Sequence, residues 1–391
     1  MAPASLGPYV AFLLLSTALL TGPSTALPAA QTTSVLTTIK AGPFPEAVIF
    51  DPSNGNVYVA DYGTNSVSVI DGATNSVVGE IHVGYNPSAL AFDSANGDIY
   101  VANWASQNAS VIEGSTNEVV ANVTIGQGAD EVAFDSSNGY LYFTYSPTTH
   151  CPAAGCPNAV TVVDGSDNMV VGSLTAGSVP WGIAPDPLNG CLYVADYGSG
   201  HVSVVNGTTG SVVATVDVGL YPLGVAYDGS NGYVYVTNTG STAVNGSGTV
   251  SVIDSESDEV VATIQVGSQP GGLAFDSATG DVLVANYVSN TTSVIDGSTN
   301  SVVATVQVGV DPIGVAFDST NGETYVTNSY SGTVSVIALS ASNPGSPVLS
   351  ALLVVGAAIL LLAFSYLVIR QRRRTREAQT APTADSPPSG A

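Results

Sequence analysis

Hydrophobic and polar residues alternate in short runs along most of the chain, and the runs recur. The stretch 260–301, VVATIQVGSQPGGLAFDSATGDVLVANYVSNTTSVIDGSTNS, is succeeded by VVATVQVGVDPIGVAFDSTNGETYVTN, which begins the same cycle again. Each unit holds four segments rich in Val, Ile, Thr, Tyr and Phe. In the sixth unit these are GGLAF (271–275), VLVAN (282–286), TSVID (292–296) and the preceding VATIQV (261–266). β-Branched and aromatic residues in alternation predict strands, and the Gly, Asn, Asp, Ser and Pro clusters between them predict turns. The glycine ending each VATxxVG-like segment measures the period: Gly42, Gly84, Gly126, Gly177, Gly219, Gly267 and Gly309, at steps of 42, 42, 51, 42, 48 and 42 residues. A strand-rich period near 40 residues marks a repeat architecture.

In all seven units an Asp-x-x-x-Gly turn comes after the first segment, from Asp51–Gly55 to Asp318–Gly322. Asp can bond backbone two residues on and Gly supplies a positive φ, so these turns suit hairpins. Pairs such as Asp71-Gly72 and Asp296-Gly297 after the third segment are expected to turn in the same way. In the first segment small residues (Gly272, Ala274) alternate with large ones (Leu273, Phe275). One face is then flat and the other bulky, as radially packed sheets require. The units are offset at the ends. A fourth-type segment, 35–40, precedes the first unit, and none comes after 333–337. Seven complete blades form only if these two pair. The expected fold class is all-β: a seven-bladed β-propeller of four-stranded blades over 31–340, with the N-terminal strand closing the last blade. Closure removes exposed sheet edges at the ends of the array.

The second segments read YVAD (58–61), YVAN (100–103), YFTY (142–145), YVAD (193–196), YVTN (235–238), LVAN (283–286) and YVTN (325–328). In these the chain resembles the YVTN-repeat β-propeller family, which includes archaeal surface-layer proteins, over residues 35–339. The resemblance implies the fold and an envelope setting. It does not fix an activity, because lactonases, haem-d1 carriers and quinoprotein-like enzymes are related propellers.

The flanking segments have a different composition. Residues 1–30 contain an apolar run and small residues, and read as a secretory signal peptide cleaved near Ala26 or Ala30, although no Lys or Arg precedes the run. An uncleaved anchor is the alternative. Residues 341–346 are a polar linker. Residues 347–369 are apolar and uncharged, long enough at about 1.5 Å per residue to cross a hydrocarbon core, and predict one C-terminal transmembrane helix. Five arginines come next, from Arg370 to Arg376, so the tail 370–391 is expected to be cytoplasmic and disordered, and the propeller extracellular. The expected partners are the membrane, through that helix, and envelope proteins or glycans.

Charge sharpens this picture. Outside the arginine cluster Lys40 is the one basic residue among six Lys and Arg, whereas 28 of the 30 acids precede the membrane segment. Nucleic acid is excluded as a partner, since phosphate contacts need Lys and Arg. Few charges of either sign occur, only 9% of residues. This composition suggests an exterior adapted to acid, where carboxylates are protonated; an acidic wall or metal-binding surface is the competing account. Cys151 and Cys156 in an external loop suggest a local disulfide, and Cys191 has no evident partner. Sequons at Asn108, Asn122, Asn206, Asn245 and Asn290 suggest a glycosylated surface.

Catalytic motifs are lacking. His82, His150 and His201 occupy different places in the repeat, and no CxxCH, HExxH or GxSxG occurs. No cofactor or bound metal is expected, and enzyme activity is left open. One cluster is unusual. At the channel entrance, where most units carry apolar or small residues, stand Glu46, Asp130 and Glu131, with Trp181 and the loop residues Tyr62 and Tyr197 nearby in the pattern. Acids with aromatics suit a cation or a sugar; solvated loop charge is the plainer reading. The two insertions, near 146–158 and 241–248, fall between second and third segments, on the same face, where function gathers in repeat folds. The leading expectation is a membrane-anchored binding, adhesion or surface-layer-like propeller. A lactonase- or lyase-type enzyme using a metal at the channel mouth is the alternative.

Overall fold

The computed structural model describes residues 33–126, 128–145, 159–240 and 247–339. These form 28 strands and no helix, gathered into seven four-stranded sheets. The inner strands of blades one to seven are Pro45–Asp51, Pro87–Asp93, Ala129–Asp135, Pro180–Asp186, Pro222–Asp228, Pro270–Asp276 and Pro312–Asp318. Each packs against the next, and the seventh packs against the first, so the blades close into a propeller. The ring closes through the predicted swap. Thr33–Lys40 is the outer strand of blade seven, antiparallel to Thr333–Leu339, with Thr33 opposite Leu339 and Lys40 opposite Thr333. Ile39 buries its side chain in one core with Val334 and Val336.

The expected signal peptide (1–30), linker (341–346), transmembrane helix (347–369) and tail (370–391) lie outside the described residues. So do Cys151, Cys156, His150 and Asn245. Among the described residues no helix is long and apolar enough to cross a membrane.

The repeated letters have packing reasons. The glycine that sets the period faces the last residue of the second strand. A Cβ on Gly309 would stand 2.6 Å from Cγ of Asn328, and Gly84, Gly219 and Gly267 meet Asn103, Asn238 and Asn286 as closely. These asparagines then bind the third strand: Asn328 Nδ2 donates to Ser335 Oγ at 3.0 Å, and Asn286 to Ser293 at 2.9 Å. The threonine of YVTN serves a bulge in the inner strand. In blade seven it accepts from Gly314 N (2.8 Å) and donates to the Glu46 carbonyl of blade one (2.8 Å). The tyrosines are fully buried and stitch neighbouring blades. Tyr58 donates to Asn117 Oδ1 and Tyr325 to Asn75 Oδ1, both at 2.7 Å. At the centre, glycine lets backbones touch: a Cβ on Gly272 would lie 2.5 Å from the Ile313 carbonyl.

The turns divide. After the inner strands, Asp-x-x-x-Gly behaves as expected. Ser53 N donates to Asp51 Oδ1 at 2.8 Å, and Gly55 has φ +76°. After the third strands the expectation was wrong about which residue turns. The positive φ belongs to Asn75, Asn117, Asn168, Asp258 and Asn300, at 51–61°. Gly72 instead makes room. A Cβ there would lie 2.7 Å from the Asp318 carboxylate and 2.8 Å from the Gly55 carbonyl.

Candidate functional site

The starts of the inner strands and the ends of the second strands meet at one face of the ring. There they surround a cavity of about 370 Å³. Its walls include Glu46, Asp130, Glu131, Trp181 and Tyr62, five of the six residues expected at the channel entrance. The sixth, Tyr197, stacks on Trp181 (centroids 5.5 Å apart) and on Tyr221 (5.1 Å) just outside the wall. The connections that join Tyr145 to Ala159 and Asn238 to Ser247 leave and return at this same face.

Local backbone builds the rim. The residue before each inner strand is left-handed: Phe44, Asn86, Val179, Tyr221, Gln269 and Asp311 have φ of 51–56°, and Gly128 takes the place in blade three. For Val and the aromatics this is a sparsely populated conformation, and such strain concentrates at functional sites. The carbonyl of each of these six accepts from the residue after the second strand. Tyr62 N donates to Phe44 O at 3.0 Å, Trp104 to Asn86 at 2.9 Å, Tyr197 to Val179 at 3.0 Å and Tyr287 to Gln269 at 2.9 Å; Thr239 and Ser329 do the same in blades five and seven. Sequence reading missed Trp104 and Tyr287. The signal was available: both come directly after the Asn or Asp that ends a second segment, as Tyr62 and Tyr197 do.

Counting along the inner strands places the polar groups. The second residues of blades one to seven are Glu46, Ser88, Asp130, Trp181, Leu223, Gly271 and Ile313. The acids and Ser88 occupy one continuous arc, and the next four blades are apolar. The third residues are Ala47, Ala89, Glu131, Gly182, Gly224, Gly272 and Gly314, so Glu131 stands where every other blade has Ala or Gly.

Surrounding protein disfavours charge on Glu46 and Glu131. Burial raises the Glu46 pKa, and a hydrogen bond from Ser329 Oγ (3.1 Å) partly offsets this. Burial pushes Glu131 up to about 7 against its own neighbour's N–H, Val132 N donating to Oε1 at 3.1 Å, while Asp130 beside it adds to the rise. Burial, then Glu46, raises the Tyr62 phenol. Among the described residues no Lys, Arg or His lines the cavity. Among the described residues no group of three or more His, Cys, Asp or Glu is placed to hold a metal ion.

The other candidates are scattered. His201 pairs with Asp217 at 2.7 Å at the start of its strand, and His82 ends the outer strand of blade one. Cys191 is a free, half-buried thiol whose pKa burial raises. Of the sequon asparagines, Asn122 is exposed, whereas Asn108, Asn206 and Asn290 are half-buried. Asn206 Oδ1 caps its own turn through Thr209 N (2.9 Å), and Asn290 Oδ1 accepts from Asp311 N (2.9 Å).

No curated protein matches the chain. Among solved structures, hydrazine synthase from Kuenenia stuttgartiensis superposes with a TM-score of 0.65 at 18% identity, covering 81% of this chain and 98% of that one. At that identity the likeness speaks for the fold alone. The family model described as YNCE-like beta-propeller matches residues 18–343, more than three-quarters of the sequence, and the chain belongs to that family.

Proposed function

We propose that the protein is an envelope-tethered propeller that binds a ligand at the mouth of its channel, in the manner of a surface-layer-like receptor. One observation carries this reading. The cavity lies at the face where the third strands begin, and both ends of the described propeller, Thr33 and Leu339, pair at the face where the third strands end. Both ends of the described propeller therefore lie at the face opposite the cavity, and neither stands at the aromatic rim. The apolar segment 347–369 and the arginines beyond it support a membrane tether, and the YVTN pattern supports an envelope setting. Trp181, Tyr62, Trp104 and the three acids form a concave, largely apolar pocket with a few polar groups, the usual form of a small-ligand site.

The test combines location with binding. Intact cells expressing the full chain are treated with protease, and released propeller is assayed on isolated envelope material. The expected result is release of the propeller from intact cells, and envelope binding that falls about tenfold or more in Trp181→Ala, a loss of order 1.4 kcal/mol. Protection of the propeller inside intact cells, or unchanged binding by the variant, would refute the reading.

A further inference from the structure

We propose that the cavity at the channel mouth selects an amphipathic organic cation, an ammonium group joined to an apolar body. The inference deepens the binding reading above and rests on it.

Segregation around the ring is the first ground. Blades one to three present Glu46, Ser88, Asp130 and Glu131, while blades four, five and seven present Trp181, Leu223 and Ile313. Blade six adds only the bare backbone of Gly272 to the wall. A ligand that fills this space meets carboxylates on one side and hydrocarbon and indole on the other. A neutral sugar would need polar partners around its whole rim, and the apolar arc offers few.

The second ground is that no Lys, Arg or His stands among the described residues of the wall. Lys40 is the one Lys or Arg among the described residues, and it lies exposed on the closing strand. Glu46 accepts from the neutral Ser329 hydroxyl, and Glu131 from a backbone N–H. Carboxylates so placed are poorly compensated, and a bound cation supplies what the wall lacks.

The third ground is the position of Glu131. Every equivalent residue is Ala or Gly, the small residues that let adjacent inner strands touch. A long acid at this point works against packing and against its own desolvation. Stability given up locally at a pocket is the usual accompaniment of function. Tyr62 and Trp104 complete the wall, and aromatic faces attract ammonium groups.

The chain supplies its own reporter. It has two tryptophans, and both Trp104 and Trp181 line the cavity. Intrinsic fluorescence of the purified full chain is recorded during titration with n-hexylammonium chloride, n-hexanol and sodium hexanoate at pH 8. Hexylammonium is expected to give a saturable change, with n-hexanol at least about tenfold weaker and hexanoate weaker still. The triple variant Glu46→Gln, Asp130→Asn, Glu131→Gln should keep its folded far-ultraviolet signature and lose at least about tenfold in hexylammonium affinity. No saturable response to hexylammonium, equal affinity for n-hexanol, or an undiminished triple variant would overturn the inference. The two readings separate cleanly. A chain that binds envelope material but ignores hexylammonium loses the ligand class and keeps its role. A chain that binds hexylammonium but stays inside the cell loses the role and keeps the ligand class.

Discussion

Gly309 and Asn328 are 19 residues apart, and each explains the other. Position 309, two residues past the strand Ser301–Gln307, is glycine because a Cβ would collide with the asparagine at 2.6 Å; the asparagine accepts from the glycine N–H at 2.9 Å. Gly309→Ala should therefore destabilise the fold by about 1–3 kcal/mol. Gly172→Ala, in an outer strand with nothing within 4 Å of the added carbon, should change stability by less than about 1 kcal/mol. Urea unfolding of the two variants checks the pair, and equal losses would show that the Gly–Asn contact is not the reason for the pattern. Both letters were legible in the sequence, but their contact was not, because alternation reports which face a residue takes and not which neighbour it meets. The same limit hid Trp104. Its place directly after Asn103 matched that of Tyr62, Tyr197 and Tyr287, but the letter differs, and the common backbone bond to a left-handed residue shows what the four positions share.

At the scale of elements, the strand Thr33–Lys40 matters most. It has no sheet of its own and completes blade seven through seven backbone pairings with Thr333–Leu339. Removing residues 33–40 exposes the edge of Thr333–Leu339 and uncovers Val334 and Val336. Such edges template intermolecular pairing. The truncated chain is expected to melt at least about 5 °C lower and to form soluble aggregates by light scattering; a monomeric truncation with unchanged melting would contradict the closure account. This element could be read in advance because counting is robust: seven first, second and third segments, with the fourth displaced to the front. The turns after the third strands were misread for a local reason. Asp71-Gly72 looks like the site of reversal, yet Asn75 turns the chain and Gly72 only clears the Asp318 carboxylate of another blade. No local sequence rule carries that inter-blade contact.

For the whole molecule, acid is the telling variable. Burial raises Asp61 and Asp196 from 3.8 to about 6 and Glu131 from 4.5 to about 7, and it raises Glu46, Asp93 and Asp98 as well. Each binds its proton more tightly when folded than when unfolded. Stability is therefore lost as pH climbs from about 4 to about 7 and regained on acidification. Hydrogen bonds from Ser166 pull Asp164 the other way; at Asp296 burial is outweighed by bonds from Ser298 and Thr299. The raised group is larger, so the purified chain should melt about 5 °C or more higher at pH 4.5 than at pH 7.5. A higher melting temperature at pH 7.5 would remove the physical basis for an acid-adapted exterior. The cavity responds in the opposite sense, since its acids attract a cation only when charged; acid favours the fold and neutral pH favours the proposed ligand. The excess of acids was plain in the sequence, but which carboxylates are disfavoured was not, because that depends on how deeply each sits between blades. The ring also imposes an order in time. During synthesis Thr33–Lys40 emerges before any blade exists, and its partner is the last described strand to be made. At ordinary translation rates of about 5–20 residues per second the wait is roughly 15–60 s. Through that interval the nascent chain must keep a ready strand unspent.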